Sequence, residues 1–450
     1  MTIDRRTLLK AAGAGAGLLA APTVLRAQVR PKVVVIGGGP GGATVATHLA
    51  RHYPDRLDIT LVEQDELYTT CFGSNLYLGG LRSFESLRHT YVGLQDLGIE
   101  VIHERALLAD RASQIVTLIS RTRLPYDRLV VAPGVDLLHD SVPGYSPQAA
   151  KELPHAWKAG PQTRLLKQQF DAVKNGETIV MLAPPDPYRC PPGPYERVSM
   201  MAHALKKTGR GDARIVIVDA KEKFSKQALF MEGWESRYPG MVEWLPPSIH
   251  GGVEWVDPVT RTVVTDLDQF RAALVNVIPA QRAGVTAVEW GLVEDGGDWC
   301  PVEAATMRST IDPAVFVLGD AAIAGDMPKS AFSASSQGKV AAEAIAADLL
   351  GADPVEPRFF NTCWSLIDEG DAVKVGALYG PKDGRITSVH PFVSKPGEPD
   401  ETRRRNAGEA EAWYAAITAD MFGPNSGGGS PAARLTPPSA ARASCGRRRA

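Results

Sequence analysis

The 450-residue chain has no apolar run long enough to cross a bilayer: the weakly apolar stretch at 11–21 is too short, which argues against an integral membrane protein. Cys-x-x-Cys-His is absent, so no c-type haem is attached to this polypeptide. His48 and His52 share a helical spacing, but no further ligands cluster with them, and no metal is expected. There is no basic excess to hold nucleic acid. The formal net charge is -2, yet residues 1–27 carry +3 and residues 424–450 carry +5, which leaves 28–423 at -10. An acidic body attracts basic partners and discourages contact with anionic lipid or phosphate backbones. Hydrophobic residues at 44% and charged residues at 22% are ordinary globular values, and the length suits two or three domains.

The N-terminus, with Arg5, Arg6 and Lys10 ahead of an Ala/Gly-rich apolar run, resembles a twin-arginine export signal with cleavage near Ala27. That resemblance implies a periplasmic protein exported already folded around a cofactor. The Gly, Ser, Pro, Ala and Arg content of 424–450 reads as a disordered, Arg-rich tail.

Between these ends the pattern is α/β. An apolar strand at 32–37 breaks into glycines, a helix follows at 43–53 and a second strand at 58–63; further strands are expected at 115–119 and 129–132. A second strand, helix, strand unit (178–182, 195–207, 214–219) looks like a copy of the first, followed by a hairpin-like stretch at 253–265 and a strand at 273–278. A short buried strand at 315–318 precedes a long Ala-rich helix at 335–350. After Pro354 come short strands with a Lys382-Asp383-Gly384 turn and a final helix at 409–421, whose Trp413, Ile417 and Met421 form a stripe suited to docking on the body. The expected organisation is 28–150 with 280–355 as a dinucleotide-binding domain, 151–279 as a second Rossmann-like domain that has lost its nucleotide, and 356–423 as an α+β C-terminal domain.

Gly37-x-Gly39-x-x-Gly42 sits between strand and helix, as a pyrophosphate site requires: one glycine for the turn, one for close approach, one for helix packing. Glu63, 21 residues after Gly42, is placed to accept ribose hydroxyls. The run ending in Gly319-Asp320 resembles the second FAD motif of two-dinucleotide-domain flavoproteins, in which the Asp binds the ribityl chain. Ala132-Pro133-Gly134 resembles their Ala-Thr-Gly segment. Together these imply FAD. Ser335, Gln337 and Lys339 are expected to open the long helix, with its N-terminus toward the flavin. In the second unit the loop at 183–194 contains six prolines, which remove amide donors and fix the backbone, so it cannot cradle NAD(P)H; Asp219 is then a remnant of the duplication.

Five cysteines allow two disulfides at most and leave at least one cysteine with another fate. Spacing alone does not pair them. Cys190-Pro-Pro-Gly-Pro-Tyr-Glu196 and Asn361-Thr362-Cys363 resemble the redox-disulfide segments of the flavocytochrome c sulfide dehydrogenase flavoprotein family, and the likeness runs from about residue 32 to 423. Tyr68-Thr-Thr-Cys71-Phe-Gly-Ser-Asn75 resembles that family's flavin-linking loop. The resemblance implies a Cys190–Cys363 disulfide beside the flavin, FAD attached through Cys71, Glu196 as acid/base, sulfide as reductant and a c-type cytochrome partner carrying the haem. A sulfide:quinone oxidoreductase shares this pattern. A non-catalytic FAD relay with an inert disulfide remains the binding-class alternative. Cys300 and Cys445 have no assigned role.

Overall fold

The computed structural model describes residues 30–423; the export-signal-like segment, the Arg-rich tail and Cys445 lie outside the described residues. Lys32–Ile36 is a continuous β-branched run, four of its five residues buried, as a strand covered on both faces requires. It pairs in parallel with Asp58–Val62 on one side and Arg128–Val131 on the other, with Val33 opposite Ile59 and Val34 opposite Leu129. Val315–Val317 and Glu100–Ile102 extend the sheet to five parallel strands.

A second parallel sheet has Thr178–Ala183 between Arg214–Asp219 and Leu274–Val277, with Val242–Leu245 outside Arg214–Asp219. Its four strands repeat the order of four in the first sheet. Each unit also carries a three-stranded antiparallel insertion before its last central neighbour: Ala106–Asp110, Ile115–Leu118 and Arg123–Pro125 in the first, Val253–Asp257, Thr262–Thr265 and Gln269–Arg271 in the second. The expected hairpin at 253–265 therefore gains a third strand. The connections between the units, Val135–Leu138 and Ala280–Ala283, pair antiparallel.

The helix Pro40–His52 crosses the helix Ala331–Leu350 closely, and a side chain at Gly338 would come within 2.8 Å of the Gly41 carbonyl oxygen. The long helix starts one turn earlier than the sequence pattern suggested, because the Ser330 hydroxyl accepts from the Ser333 amide and caps it. The C-terminal part is an antiparallel sheet of Phe359–Asp368, Asp371–Lys382 and Arg385–Val393, joined by the Lys382-Asp383-Gly384 turn, with the helix Asp400–Phe422 laid across it. That helix is ten residues longer than expected, nine of them at its start and one at its end, and it buries Ile417, Met421 and Phe422 against the first unit. Burial of these side chains contributes roughly 1.5–3 kcal/mol each before the ordering entropy is counted. No described helix is long and apolar enough to cross a membrane.

Candidate active site

The first strand delivers the chain into Gly37 at φ +96°, where any side chain would sit 2.4 Å from the Ala132 carbonyl oxygen. A side chain at Gly42 would sit 2.0 Å from the Gly37 carbonyl oxygen, so helix and strand meet only through glycine. Gly39 differs: a side chain there would meet nothing nearer than the Tyr68 hydroxyl at 3.4 Å, so backbone does not close it off from a ligand. Glu63 follows the second strand. Its carboxylate accepts from the Gly38 amide at 2.8 Å and the Asp65 amide at 3.1 Å, while burial pushes its pKa up.

Gly37, Gly39 and Glu63 line a groove of about 660 Å³ that also includes Ala132, Gly134, Gly319 and Asp320, while Gly42 serves the packing of helix on strand. The Oδ1 atom of Asp320 is buried with no hydrogen-bond partner, and Oδ2 lies 3.8 Å from Arg189. Burial raises the Asp320 carboxyl, opposed by the Arg189 and Lys329 charges. A buried acceptor without a donor is costly. The ribityl hydroxyls of FAD supply such donors, and the Gly-rich turn and Glu63 suit its pyrophosphate and ribose, so the groove fits that cofactor. Gln337 does not line it. Its Oε1 accepts from the Gly319 amide at 2.8 Å and holds the turn from behind. Lys339 is a correction to the expected set: with the helix starting at Ala331 it stands about two turns past the N-terminus, on the exposed face, where Nζ pairs with Asp420 at 2.7 Å. Ser335 bonds Thr44 between the two helices and likewise does not head the helix.

Behind the groove is a cavity of about 120 Å³ lined by Cys71, Cys190, Cys363 and Glu196, with Trp157, Trp364 and Trp413 among its apolar walls. Cys71, Arg189, Ser330 and Ala331 line both compartments. The two spaces share a wall. Cys190 lies within the proline loop, in the left-handed region at φ +58°. Two of the amides this loop retains are already used: Arg189 N–H donates to the Gln281 Oε1 and Cys190 N–H to the Lys329 carbonyl oxygen at 2.7 Å. Gly193 opens the next helix because a side chain there would meet Trp157 at 2.8 Å and the Cys190 Sγ at 3.0 Å. Cys363 comes from the middle of the strand Phe359–Asp368, its thiol 3.7 Å from Asn361 Oδ1, which also takes the Ser330 hydroxyl. Cys190 and Cys363 both carry free thiols in this structure, so the S–S bond implied by resemblance is not formed in it. Burial pushes both thiols up, and the Lys226 charge opposes that shift.

Glu196, one turn into the helix Gly193–Lys207, is half-buried; its oxygens accept from Asn75 Nδ2 at 2.8 Å and the Leu366 amide at 3.0 Å. Burial raises its pKa and those bonds oppose the rise. Asn75 is held in turn by Arg197, which is 1% exposed and also donates to Asn276 and the His155 and Ala156 carbonyls. Lys226 and Arg189 are site residues that the sequence reading missed. Lys226 reaches Cys363 across 137 positions, and no local pattern announces such a contact.

The remaining candidates lie elsewhere. Asp219 is 0% exposed and satisfied by Tyr195 at 2.6 Å, Trp244 at 2.9 Å and Lys221 at 2.6 Å. His48 pairs with Glu343 at 2.6 Å and stacks on His52; among the described residues no group of three ligands could hold a metal. Cys300 is fully buried, its thiol pushed up to about 12 by burial.

Comparison with known proteins gives three family models. Residues 31–169 match the pyridine nucleotide-disulphide oxidoreductase model. Residues 163–279 match the central part of the sulfide dehydrogenase [flavocytochrome c] flavoprotein chain, and residues 355–422 match the flavocytochrome c sulphide dehydrogenase flavin-binding model. Among curated relatives, the mitochondrial sulfide:quinone oxidoreductase of Dictyostelium discoideum is 23% identical over 40% of this chain and 40% of its own length. The sulfide-quinone reductase of Aquifex aeolicus is 36% identical over 24% of this chain and 25% of its own. The matches thus span less than half of these two relatives. In fold, the chain resembles the Aquifex aeolicus sulfide:quinone oxidoreductase structure (TM-score 0.66, 17% identity, 88% of this chain and 93% of that one). It also resembles a NAD-dependent persulfide reductase from A. fulgidus (TM-score 0.58, 18% identity, 87% and 77%).

Proposed function

We propose, for a chain that belongs to the family of flavocytochrome c sulfide dehydrogenase flavoproteins, that it oxidises sulfide at the Cys190/Cys363 pair, with FAD in the adjoining groove and a c-type cytochrome as acceptor. The observation that carries this reading is the shared wall: a groove suited to a dinucleotide and a cavity holding two cysteines meet at Cys71, Arg189, Ser330 and Ala331.

In the oxidised form the pair is a cystine. Hydrosulfide attacks the Cys190 sulfur, the S–S bond breaks, Cys190 carries the new persulfide and Cys363 leaves as thiolate. Glu196, lining the same cavity with a pKa raised by burial, holds the proton released when hydrogen sulfide becomes the attacking anion. FAD, when bound, supplies a two-electron acceptor beside the pair that can release its electrons singly. Gly37 and Gly39 would hold its pyrophosphate, with Gly42 letting helix and strand pack closely there, Glu63 would hold its ribose and Asp320 its ribityl chain, and Cys71 is the residue through which a covalent thioether would attach it. The proline loop leaves no site for NAD(P)H, so electrons enter from the small reductant. The acidic body suits a basic cytochrome, and the paired arginines near the N-terminus support export to the periplasm.

A second reading has a quinone as acceptor, favoured by the names of the curated relatives. Anaerobic spectra test the shared step: Cys190→Ser and Cys363→Ser should each abolish flavin bleaching by sulfide while keeping FAD content. Bleaching that persists in both variants sinks the dithiol reading, and turnover with cytochrome c against a soluble quinone separates the acceptors.

A further inference from the structure

One charged group in contact with this site has no task in the reaction above. Lys226 stands at the N-cap position of the helix Gln227–Arg237, with φ +62° in the left-handed region that lysine seldom adopts. Its side chain is turned inward. The residue is 9% exposed, and its ammonium donates to the Cys363 carbonyl oxygen at 3.0 Å and the Ser365 hydroxyl at 2.7 Å, two groups on the strand that carries the thiol. Neither acceptor is charged, and among the described residues no carboxylate pairs with it. Glu196, the nearest acid in charge terms, is committed to Asn75 and Leu366.

A buried ammonium without an anion is strongly disfavoured. Burial accordingly pushes Lys226 down to about 8, and the groups opposing that shift are Cys363, Glu196 and Cys190, in that order. The anion that relieves it is a thiolate at Cys363.

We propose that Lys226 is the charge-compensating residue of the redox pair, a positioning residue whose ammonium stabilises the Cys363 thiolate; this rests on the dithiol reading given above. When hydrosulfide attacks the Cys190 sulfur of the cystine, its negative charge passes to Cys363 as the S–S bond breaks, and that charge then lies beside Lys226. The groups facing the thiol are Lys226 ahead of its helix, Glu196 from the helix Gly193–Lys207, Cys190 from the proline loop, Tyr379 from the adjoining strand, and the neutral Asn361 and Ser330. Glu196 and a Cys190 anion oppose ionisation of Cys363, so the lysine is the cation set against them.

The test uses the FAD-loaded protein, reduced with dithiothreitol and desalted anaerobically, and follows iodoacetamide alkylation of Cys363 against pH by peptide mass spectrometry. Lys226→Met should raise the midpoint for Cys363 by at least about one pH unit, since an adjacent opposite charge typically moves a pKa by about 1–3 units. Lys226→Arg should restore the wild-type midpoint, which a merely space-filling role would not require. Should the Met variant fail to fold, Lys226→Gln keeps donors for Cys363 and Ser365 without the charge and must show the same rise. An unchanged midpoint in the neutral variants, or no restoration by arginine, overturns the proposal. A lysine-dependent shift in a protein whose flavin sulfide does not reduce would leave this inference standing and overturn the sulfide reading instead.

Discussion

Cys71 lines both the groove and the cavity, the position a side chain needs in order to hold a bound cofactor from its edge. If it forms the thioether, wild-type protein keeps its flavin through acid or denaturant, whereas Cys71→Ser releases all of it on denaturation yet binds FAD while folded through Gly37, Glu63 and Asp320. Protein-bound absorbance after precipitation measures this, and free flavin from the wild type would refute the linkage. Glu196 makes a pH-dependent claim. Its pKa is raised above the ordinary 4.5 by burial, so the folded protein holds that proton to higher pH than the unfolded chain does. As a base it acts only when ionised. The rate of flavin reduction at saturating sulfide should therefore rise with pH through a limb lying above 4.5, and Glu196→Gln should remove that limb and slow the reaction roughly 10²-fold or more. A limb unchanged in the variant would assign it to another group. At this scale the sequence was uneven as a guide. Cys71, Cys190, Cys363 and Glu196 stand in local segments that a family likeness marks, and all four line one cavity. Lys226 and Arg189 went unseen because what makes them unusual is burial beside distant residues, and Lys339 was misjudged because a helix that begins at Ala331 leaves it far from the N-terminus and on the exposed face.

Among the elements, the proline loop between Ala183 and Gly193 is the one on which the proposed absence of an NAD(P)H site rests. Amides at Arg189 and Cys190 are bonded within the protein, and the prolines of the loop have none. NADH and NADPH at micromolar concentration should leave the flavin oxidised in an anaerobic stopped-flow experiment; rapid bleaching by either would overturn this account of the loop. The βαβ pattern was readable because strands covered on both faces must be continuous apolar runs, as in Lys32–Ile36 and Arg214–Asp219. Helix ends were harder. Asp400–Phe422 begins with a charged segment that carries no apolar period, the residues it buries there being the polar Arg403 and Asn406, and only its last turns announce the docked face.

For the whole molecule, the charge of -10 over residues 28–423 bears on how an acceptor is found. If the partner is a basic cytochrome, its association rate should fall roughly tenfold or more between low and physiological ionic strength, as steered encounters do, while reduction of the flavin by sulfide changes little. Stopped-flow measurement of the two steps separately checks this, and a salt-independent second step would point away from electrostatic docking. The two parallel sheets share their strand order, and each carries an acid at the end of its second strand, Glu63 in one and Asp219 in the other. The first acid still lines a groove. The second has been taken over by Tyr195, Trp244 and Lys221. If this unit once held a nucleotide, its loss works as a ratchet: restoring glycines to the loop alone would not reopen the site, because the three side chains that bond Asp219 would each have to be released as well. On the proposed reading, a protein of this kind is held to small reductants by the packing of its second half as much as by the loop itself.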